Sequence, residues 1–350
     1  MFYDIFNSFL KQTDPEVAHQ LAIKFLKTNI IPFDLFKFKP HEKLRSKVFG
    51  IEFENPVGLA AGFDKNAEVY NSIYKLGFGY AEVGTITPKP QEGNLKPRVF
   101  RLNQDKAIIN RLGFPNEGME KIFNRIANNL NNGILGINIG PNKENATKND
   151  DYLICLEKFY DQADYIAINI SSPNTPNLRS LHDKEKIINL IDAILNFRNQ
   201  NEKIKPIIFK LSPNIDISEI NNLSEIFLDK KIDGLILTNT SVEGKEDLLD
   251  ENKREAGGLS GSPINLVSNK VILNFYKNLR GKIPIIGVGG VNDGKTAYEK
   301  IKCGANLVQL YTSMVFKGPY VASNINKELV QLLKQDGLKN ISEAVGINAN

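Results

Sequence analysis

Cysteine and histidine are scarce in this 350-residue chain, with two of the first and three of the second. Cys155 and Cys303 lie far apart and neither belongs to a C-x-x-C pair. A disulfide framework and a thiolate metal site are therefore unsupported, and a reducing interior such as the cytoplasm is expected. His19, His41 and His182 form no grouping with carboxylates at ligand spacing, so no metal site is expected. The same scarcity argues against a Ser-His-Asp hydrolase, because no histidine ends a strand-type run and no G-x-S-x-G elbow is present. No stretch approaches the length of consecutive apolar residues that a spanning helix needs. The start, Met-Phe-Tyr-Asp, lacks the basic and unbroken apolar regions of a signal peptide, so any membrane contact is expected to be peripheral. Lys and Arg form no run or stripe and the formal charge is only +4, so nucleic acid is not an expected partner.

What is present is an ordinary globular composition, 41% hydrophobic and 24% charged, with enough chain to bury a large core. From about residue 55, short apolar runs of strand type alternate with longer segments of helical period. The runs are Val57 to Ala61, Tyr80 to Gly84, Ile134 to Ile139, Tyr165 to Ile170, Ile207 to Leu211, Leu235 to Leu237, Ile283 to Val288 and Leu307 to Tyr311. Helical candidates between them include Asp150 to Gln162, Lys184 to Phe197, Ile217 to Leu228, Leu266 to Leu279 and Gly294 to Cys303. Eight β-then-α units point to an α/β fold, a (β/α)8 TIM barrel spanning 46–350. An open doubly wound sheet is disfavoured, because the first run leads into Ala60-Ala61-Gly62-Phe63-Asp64-Lys65 and not into G-x-G-x-x-G.

Residues 1–45 follow another pattern. Phe2, Ile5, Phe6, Phe9 and Leu10 make one apolar helical stripe, and Val17, Ala18, Leu21, Ala22, Phe25 and Leu26 make a second after the helix start Thr13-Asp14-Pro15-Glu16. A two-helix extension of this kind either closes or flanks the barrel, or serves a role of its own.

A barrel's active site lies at the C-terminal ends of its strands. Gly287-Val-Gly-Gly290 and Tyr311-Thr312 stand where barrels often bind phosphate, although a plain tight turn also accounts for the glycines. Lys65 and Lys210 end the first and fifth runs, where a lysine loses hydration unless it meets an anion, an electron-rich group or solvent. Asn169-Ile-Ser-Ser-Pro-Asn174 ends the fourth run. Its asparagines can match a ring amide, and Ser172 can act as a general base only with a route for its proton.

Taken together, these residues resemble the dihydroorotate dehydrogenase family. The carriers are Asn55-Pro-Val-Gly-Leu-Ala-Ala-Gly-Phe-Asp-Lys65, Gly84-Thr-Ile-Thr-Pro-Lys-Pro-Gln91, Arg98-Val-Phe-Arg-Leu102, Asn110-Arg-Leu-Gly-Phe114, Leu135-Gly-Ile-Asn-Ile-Gly140, Ile168-Asn-Ile-Ser-Ser-Pro-Asn-Thr-Pro176, Thr238-Asn-Thr240, Gly257-Gly-Leu-Ser-Gly261 and Pro284-Ile-Ile-Gly-Val-Gly-Gly290. Soluble members look like Ser-Cys-Pro-Asn where this chain has Ser171-Ser172-Pro173-Asn174, and they lack the N-terminal extension. Both marks resemble the quinone-dependent class.

The resemblance implies FMN, with its phosphate near Gly261, Gly290, Tyr311 and Thr312. Ala61, Gly62, Phe63, Asp64, Lys65, Thr85, Asn138, Asn169, Lys210 and Thr238 would meet the rest of the cofactor. It implies dihydroorotate held by Lys65, by the loop Asn110, Arg111, Leu112, Gly113 and Phe114, and by Asn169, Asn174, Asn239 and Thr240. Ser172 would take the C5 proton while hydride passes from C6 to flavin N5, giving orotate for pyrimidine synthesis. Ubiquinone or menaquinone would reoxidise the flavin along a tunnel framed by the N-terminal helices, with His19, Arg101 and Tyr311 beside it. A monomer or weak dimer, peripheral on the cytoplasmic side of the cell membrane, is the expected form. The alternatives are a non-catalytic phosphate-ligand-binding barrel and a soluble fumarate- or NAD-linked member of the same family.

Overall fold

A computed structural model describes residues 13–28, 31–146, 148–175, 178 and 183–349. The stripe from Phe2 to Leu10 and His182 lie outside the described residues. Helix α1 (Pro15–Leu26) begins where the polar cap predicts, with the Asp14 carboxylate accepting the N–H groups of Glu16 at 2.9 Å and Val17 at 3.0 Å. Its apolar residues divide between two faces: Ile23 and Leu26 are buried, while Val17, Leu21 and Phe25 remain exposed.

A hairpin of β1 (Ser46–Val48) and β2 (Ile51–Phe53) precedes the barrel. The barrel strands are β3 (Val57–Leu59), β4 (Tyr80–Ile86), β7 (Ile134–Ile139), β8 (Tyr165–Asn169), β9 (Ile207–Leu211), β10 (Gly234–Leu237), β12 (Ile285–Val288) and β13 (Leu307–Leu310). They close in the order β10-β12-β13-β3-β4-β7-β8-β9, every pair parallel. Each of the eight apolar runs read from the sequence overlaps one of these strands, β4 running on to Ile86 and β10 beginning at Gly234. Helices α2 (Tyr70–Tyr74), α3 (Met119–Ala127), α4 (Asp150–Phe159), α5 (Lys184–Asn199), α6 (Ile217–Lys230), α7 (Asn265–Leu279), α8 (Gly294–Lys302), α9 (Thr312–Lys317) and α10 (Val321–Gln335) follow the strands in turn. The chain is thus a (β/α)8 TIM barrel.

Alternation along the strands sorts the side chains. Ala81, Val83, Ile137, Ile166, Ile168 and Phe209 join the large cluster under the helices, whereas Tyr80, Tyr165, Ala167, Ile208, Ile236, Ile286 and Leu307 fill the barrel's lower interior. Val48 and Phe53 of the hairpin complete that inner cluster, so the hairpin stops the N-terminal end. Closing the bottom was one role open to the N-terminal helices. Helix α1 instead packs against β5 (Val99–Leu102), at the opposite end. There β5, β6 (Ala107–Asn110) and β11 (Gly258–Gly261) form an antiparallel sheet in the order β11-β6-β5, built from excursions after β4 and β10. Arg98 holds α1 to this sheet through an ion pair with Glu16 at 3.0 Å, with Arg98 8% and Glu16 19% exposed.

Two glycines make room for the inner tyrosines. Gly58 pairs with Tyr80 and Gly136 with Tyr165 in the strand register. A Cβ on Gly136 would lie 2.1 Å from the Tyr165 ring, which is fully buried and has nowhere to move. Gly136→Ala is therefore expected to cost about 3 kcal/mol of stability by overpacking. Urea denaturation checks this, and a loss below about 1 kcal/mol would show that the ring can give way.

Candidate active site

The strand C-terminal ends and the β5-β6-β11 sheet enclose a cavity of about 530 Å³. Ala61, Asn110, Leu112, Lys210, Thr238, Asn239, Thr240, Gly261, Gly290, Tyr311 and Thr312, all singled out from the sequence, border it. Lys106 and Lys317 border it too, so among its described lining residues are three lysines and no carboxylate. At one end Gly289 (φ +106°) and Gly290 (φ +75°) take left-handed conformations that an L side chain resists, and a Cβ on Gly290 would lie 2.4 Å from that of Asn265. Beside them the Thr312 hydroxyl donates to Ser260 Oγ at 2.8 Å. Gln309 Oε1 is a buried acceptor without a partner on a residue that borders the cavity. A neutralising, hydrogen-bonding chamber of this size suits an anionic ligand that also offers donors.

Thr85, Asn138 and Asn169 are buried behind the cavity in one connected chain. Thr85 Oγ1 donates to Asn138 Oδ1 at 2.6 Å, and Asn169 Nδ2 donates to Thr85 Oγ1 at 2.9 Å. Asn239 Nδ2 reaches Asn169 Oδ1 at 3.4 Å and Ser171 Oγ at 3.0 Å. At its lower end the chain meets Glu82, a residue that sequence reading passed over. Asn138 Nδ2 donates to Glu82 at 2.9 Å, and Lys210 Nζ stands 3.6 Å from the same oxygen. The available signal was a carboxylate inside an otherwise apolar strand.

Ser172 is 5% exposed, and its Oγ accepts the Asn174 N–H at 3.3 Å. No side-chain base among the described residues bonds to it. Asn174 Nδ2 donates to Asn110 Oδ1 at 3.2 Å, and Asn94 Nδ2 donates to the carbonyls of Arg111 at 3.0 Å and Asn174 at 3.2 Å. These bonds tie the Ser172 loop to the Asn110 loop, which turns through Gly113 (φ +71°) and Phe114 (φ +53°).

Two of the singled-out residues spend their side chains elsewhere. Arg111 pairs with Glu255 at 2.6 Å, donates to the carbonyls of Ala256 and Pro97, and covers the Phe100 ring. Asp64 accepts the N–H groups of Glu68 at 2.7 Å and Val69 at 2.8 Å, while burial raises its carboxyl above the usual range. At both positions only the backbone is free for a ligand. Gly62 (φ +102°) lies against the Tyr311 ring.

Lys65 borders a neighbouring cavity of about 490 Å³, together with Glu16, Arg98, Gln91 and Asn116. It makes no hydrogen bond or ion pair among the described residues. Burial lowers its ammonium to about 8, with Glu16 partly offsetting the effect. A third cavity, about 180 Å³ and mostly apolar, runs between α1 and the mouth. Ala18, Ala22, Phe25 and Leu26 form one wall, and His19, Phe63 and Arg101 border it. Arg101 donates to the Thr13 carbonyl at 2.7 Å. Tyr311 borders all three cavities, its hydroxyl pushed up to about 12 by burial.

The family model for dihydroorotate dehydrogenase matches residues 43–333. The chain belongs to the dihydroorotate dehydrogenase family. Proteins named dihydroorotate dehydrogenase (quinone) from Bartonella henselae and Azorhizobium caulinodans are 45% and 40% identical to it. The first match covers 97% of this chain and 94% of the relative, the second 98% of each. A crystal structure of DHODH in complex with ferulenol from Eimeria tenella superposes with a TM-score of 0.90 at 38% identity, covering 96% of both chains. A span of 97% takes in α1, so the quinone-named dihydroorotate dehydrogenases resemble this chain over its N-terminal helix as well as its barrel. Its kinship is with the quinone-dependent class of the family, and not with a binding barrel of another kind.

His19 reports on the apolar cavity. Its ring lies 5.1 Å from that of Phe63, its Nδ1 is enclosed without a partner, and burial with the nearby Lys65 charge lowers it from 6.5 to about 3. As pH falls below 6.5 the unfolded chain takes up this proton first. Stability is therefore whole above that value and is lost on the way to pH 3, by up to about 1.4 kcal/mol per pH unit. Urea denaturation at stepped pH should show a shallower slope in His19→Asn over that window, and an unchanged slope would place the titration elsewhere.

Proposed function

We propose that this chain oxidises dihydroorotate to orotate with FMN as its prosthetic group and a quinone as electron acceptor, a step of pyrimidine synthesis. The observation that carries the reading is an anion-suited cavity joined to an apolar one through the shared residues Val99, Ile108 and Tyr311. FMN, when bound, supplies the hydride acceptor and the electron store between substrate and quinone. The cavity fits it: Lys106 and Lys317 border it with no carboxylate among the described lining residues and would receive a phosphate, left-handed glycines expose backbone N–H groups, and the free Gln309 Oε1 awaits a donor.

Gly261, Gly290, Tyr311 and Thr312 would hold the phosphate end, with Ala61, Thr85, Asn138, Asn169, Lys210 and Thr238 toward the ring. Gly62, Phe63 and Asp64 contribute backbone and ring contacts only. Lys65 has the unpaired charge that a substrate carboxylate would satisfy, while Asn110, Asn169, Asn174, Asn239 and Thr240 supply donors and acceptors for the ring amides. Arg111, Leu112, Gly113 and Phe114 shape the loop over that ring. Ser172 Oγ would receive the C5 proton.

The apolar cavity would admit the quinone head past His19, Arg101 and Tyr311. Exposed Val17, Leu21 and Phe25 on α1 form an apolar ridge with Lys24 and Lys27 nearby, which suits peripheral contact with an anionic membrane at its cytoplasmic side. No helix among the described residues is long and apolar enough to cross a membrane. On this reading 1–45 form a membrane and quinone module and 46–350 the catalytic barrel. A soluble fumarate- or NAD-linked acceptor would leave the apolar cavity without a purpose.

Purified protein is expected to be yellow, to bleach with dihydroorotate in the absence of oxygen, and to regain colour with quinone but not with fumarate or NAD. A colourless protein that takes up no FMN would sink the reading. Ser172→Ala should retain FMN yet slow bleaching by about 10²–10⁴-fold, the usual worth of a general base. Stopped-flow absorbance checks this, and an undiminished rate removes Ser172 from the role.

A further inference from the structure

Glu82 is a carboxylate set directly above the lower layers of the barrel interior, which hold hydrocarbon and tyrosine. It is fully buried on the inner face of β4, two residues along from Tyr80. Asn138 Nδ2 donates to Oε1 at 2.9 Å. Tyr165 Oη at 3.0 Å and Gln309 Nε2 at 2.9 Å donate to Oε2, and the Lys210 ammonium stands 3.6 Å from Oε1. Four donors converge on one side chain, which matches the acceptor-only character of an ionised carboxylate. A glutamine there would turn an N–H₂ group toward some of these donors.

The carboxylate also sets direction. Because Asn138 turns its amide nitrogen down to Glu82, its Oδ1 faces Thr85 and accepts that hydroxyl at 2.6 Å. Thr85, its proton so committed, accepts from Asn169 Nδ2 at 2.9 Å. Asn169 then offers Oδ1 to the Ser171 N–H at 3.3 Å and to Asn239 Nδ2 at 3.4 Å. Gln309 is turned the same way, which leaves its Oε1 without a partner. A chain of amides and a hydroxyl from Glu82 to the Ser172 loop thus has one donor direction, imposed from its buried end.

We propose that Glu82 is a positioning residue for the cofactor site, fixing the donor direction of the Asn138, Thr85, Asn169 and Asn239 chain and balancing the charge of Lys210 at the cavity wall. The inference rests on the FMN reading above. Lys210 is 6% exposed in its side chain and Glu82 0%, so neither charge is screened by water and each must answer the other. With Glu82 neutral, the ammonium would act on the cavity uncompensated and favour added negative charge there. With Lys210 neutral, the carboxylate would oppose it.

The test is the two-electron reduction potential of bound FMN, measured by dye equilibration in the full-length protein. Wild type is loaded first, and failure to take up FMN sinks the cofactor reading without touching Glu82. In loaded protein, Glu82→Gln is expected to favour the reduced flavin at least tenfold, an upward shift of about 30 mV for two electrons. Lys210→Met is expected to move the potential down, and the double variant to return near wild type. A folded, FMN-bound Glu82→Gln with an unchanged potential overturns the proposal, since a packing role would alter stability alone. Should Glu82→Gln fail to fold, the double variant, a neutral pair of similar volume, is compared with Lys210→Met. The double must then lie at least tenfold above the single, and equality overturns the proposal.

Discussion

A closed barrel of parallel strands directs half of its strand side chains into its own interior, and how that space is filled governs what can be built at the mouth. The lower layers here are hydrocarbon and aromatic, with Tyr80 and Tyr165 seated in room left by Gly58 and Gly136. The upper layer is polar, with Asn138, Asn169, Lys210 and Thr238 buried and hydrogen-bonded or paired. Glu82 is the junction. It takes the Tyr165 hydroxyl from below and Asn138 and Lys210 from above, so the change from apolar filling to polar site happens without stranding a donor.

The three cavities differ in chemistry but share Tyr311. One is bordered by lysines, one by the unpaired Lys65 with polar neighbours, and one by aliphatic and aromatic side chains of α1 and the mouth. A charged ligand and an apolar one could thus approach the Tyr311 ring from different sides without entering each other's chamber. The division depends on α1 staying at the mouth, where the ion pair of buried Arg98 with half-buried Glu16 fastens it. Arg98 also donates to the carbonyls of Glu92 at 2.6 Å and Asn94 at 2.8 Å, so the same guanidinium braces the loop that meets Arg111 and Asn174.

Much of this was legible in the sequence because its signals are local. Short apolar runs between segments of helical period marked all eight barrel strands, and the Asp14-Pro15-Glu16 cap marked the start of α1. Strand ends carrying Lys210, Asn169 and Thr238 stood out because polar side chains close apolar runs there. The β1-β2 hairpin was not legible, since its plugging role depends on Val48 and Phe53 meeting strands far along the chain. Nor was the β5-β6-β11 sheet, whose third strand lies about 150 residues after its second, so that its pairing is non-local. Arg111 and Asp64 looked available in sequence, yet Glu255 and the Glu68 and Val69 amides take up their side chains.

From the sequence come the barrel, the polar residues gathered at the C-terminal ends of its strands, and their types. Strand and helix periods are written along the chain, and in a parallel barrel every strand end faces the same side. Which of those residues work together follows from the folded arrangement alone. Glu82 sits between Lys210, Asn138, Tyr165 and Gln309, drawn from four other strands, and its meaning lies in charge and donor direction across distances of 2.9 to 3.6 Å. Such terms depend on separation in space and on the exclusion of water, and neither is a property of position along a chain.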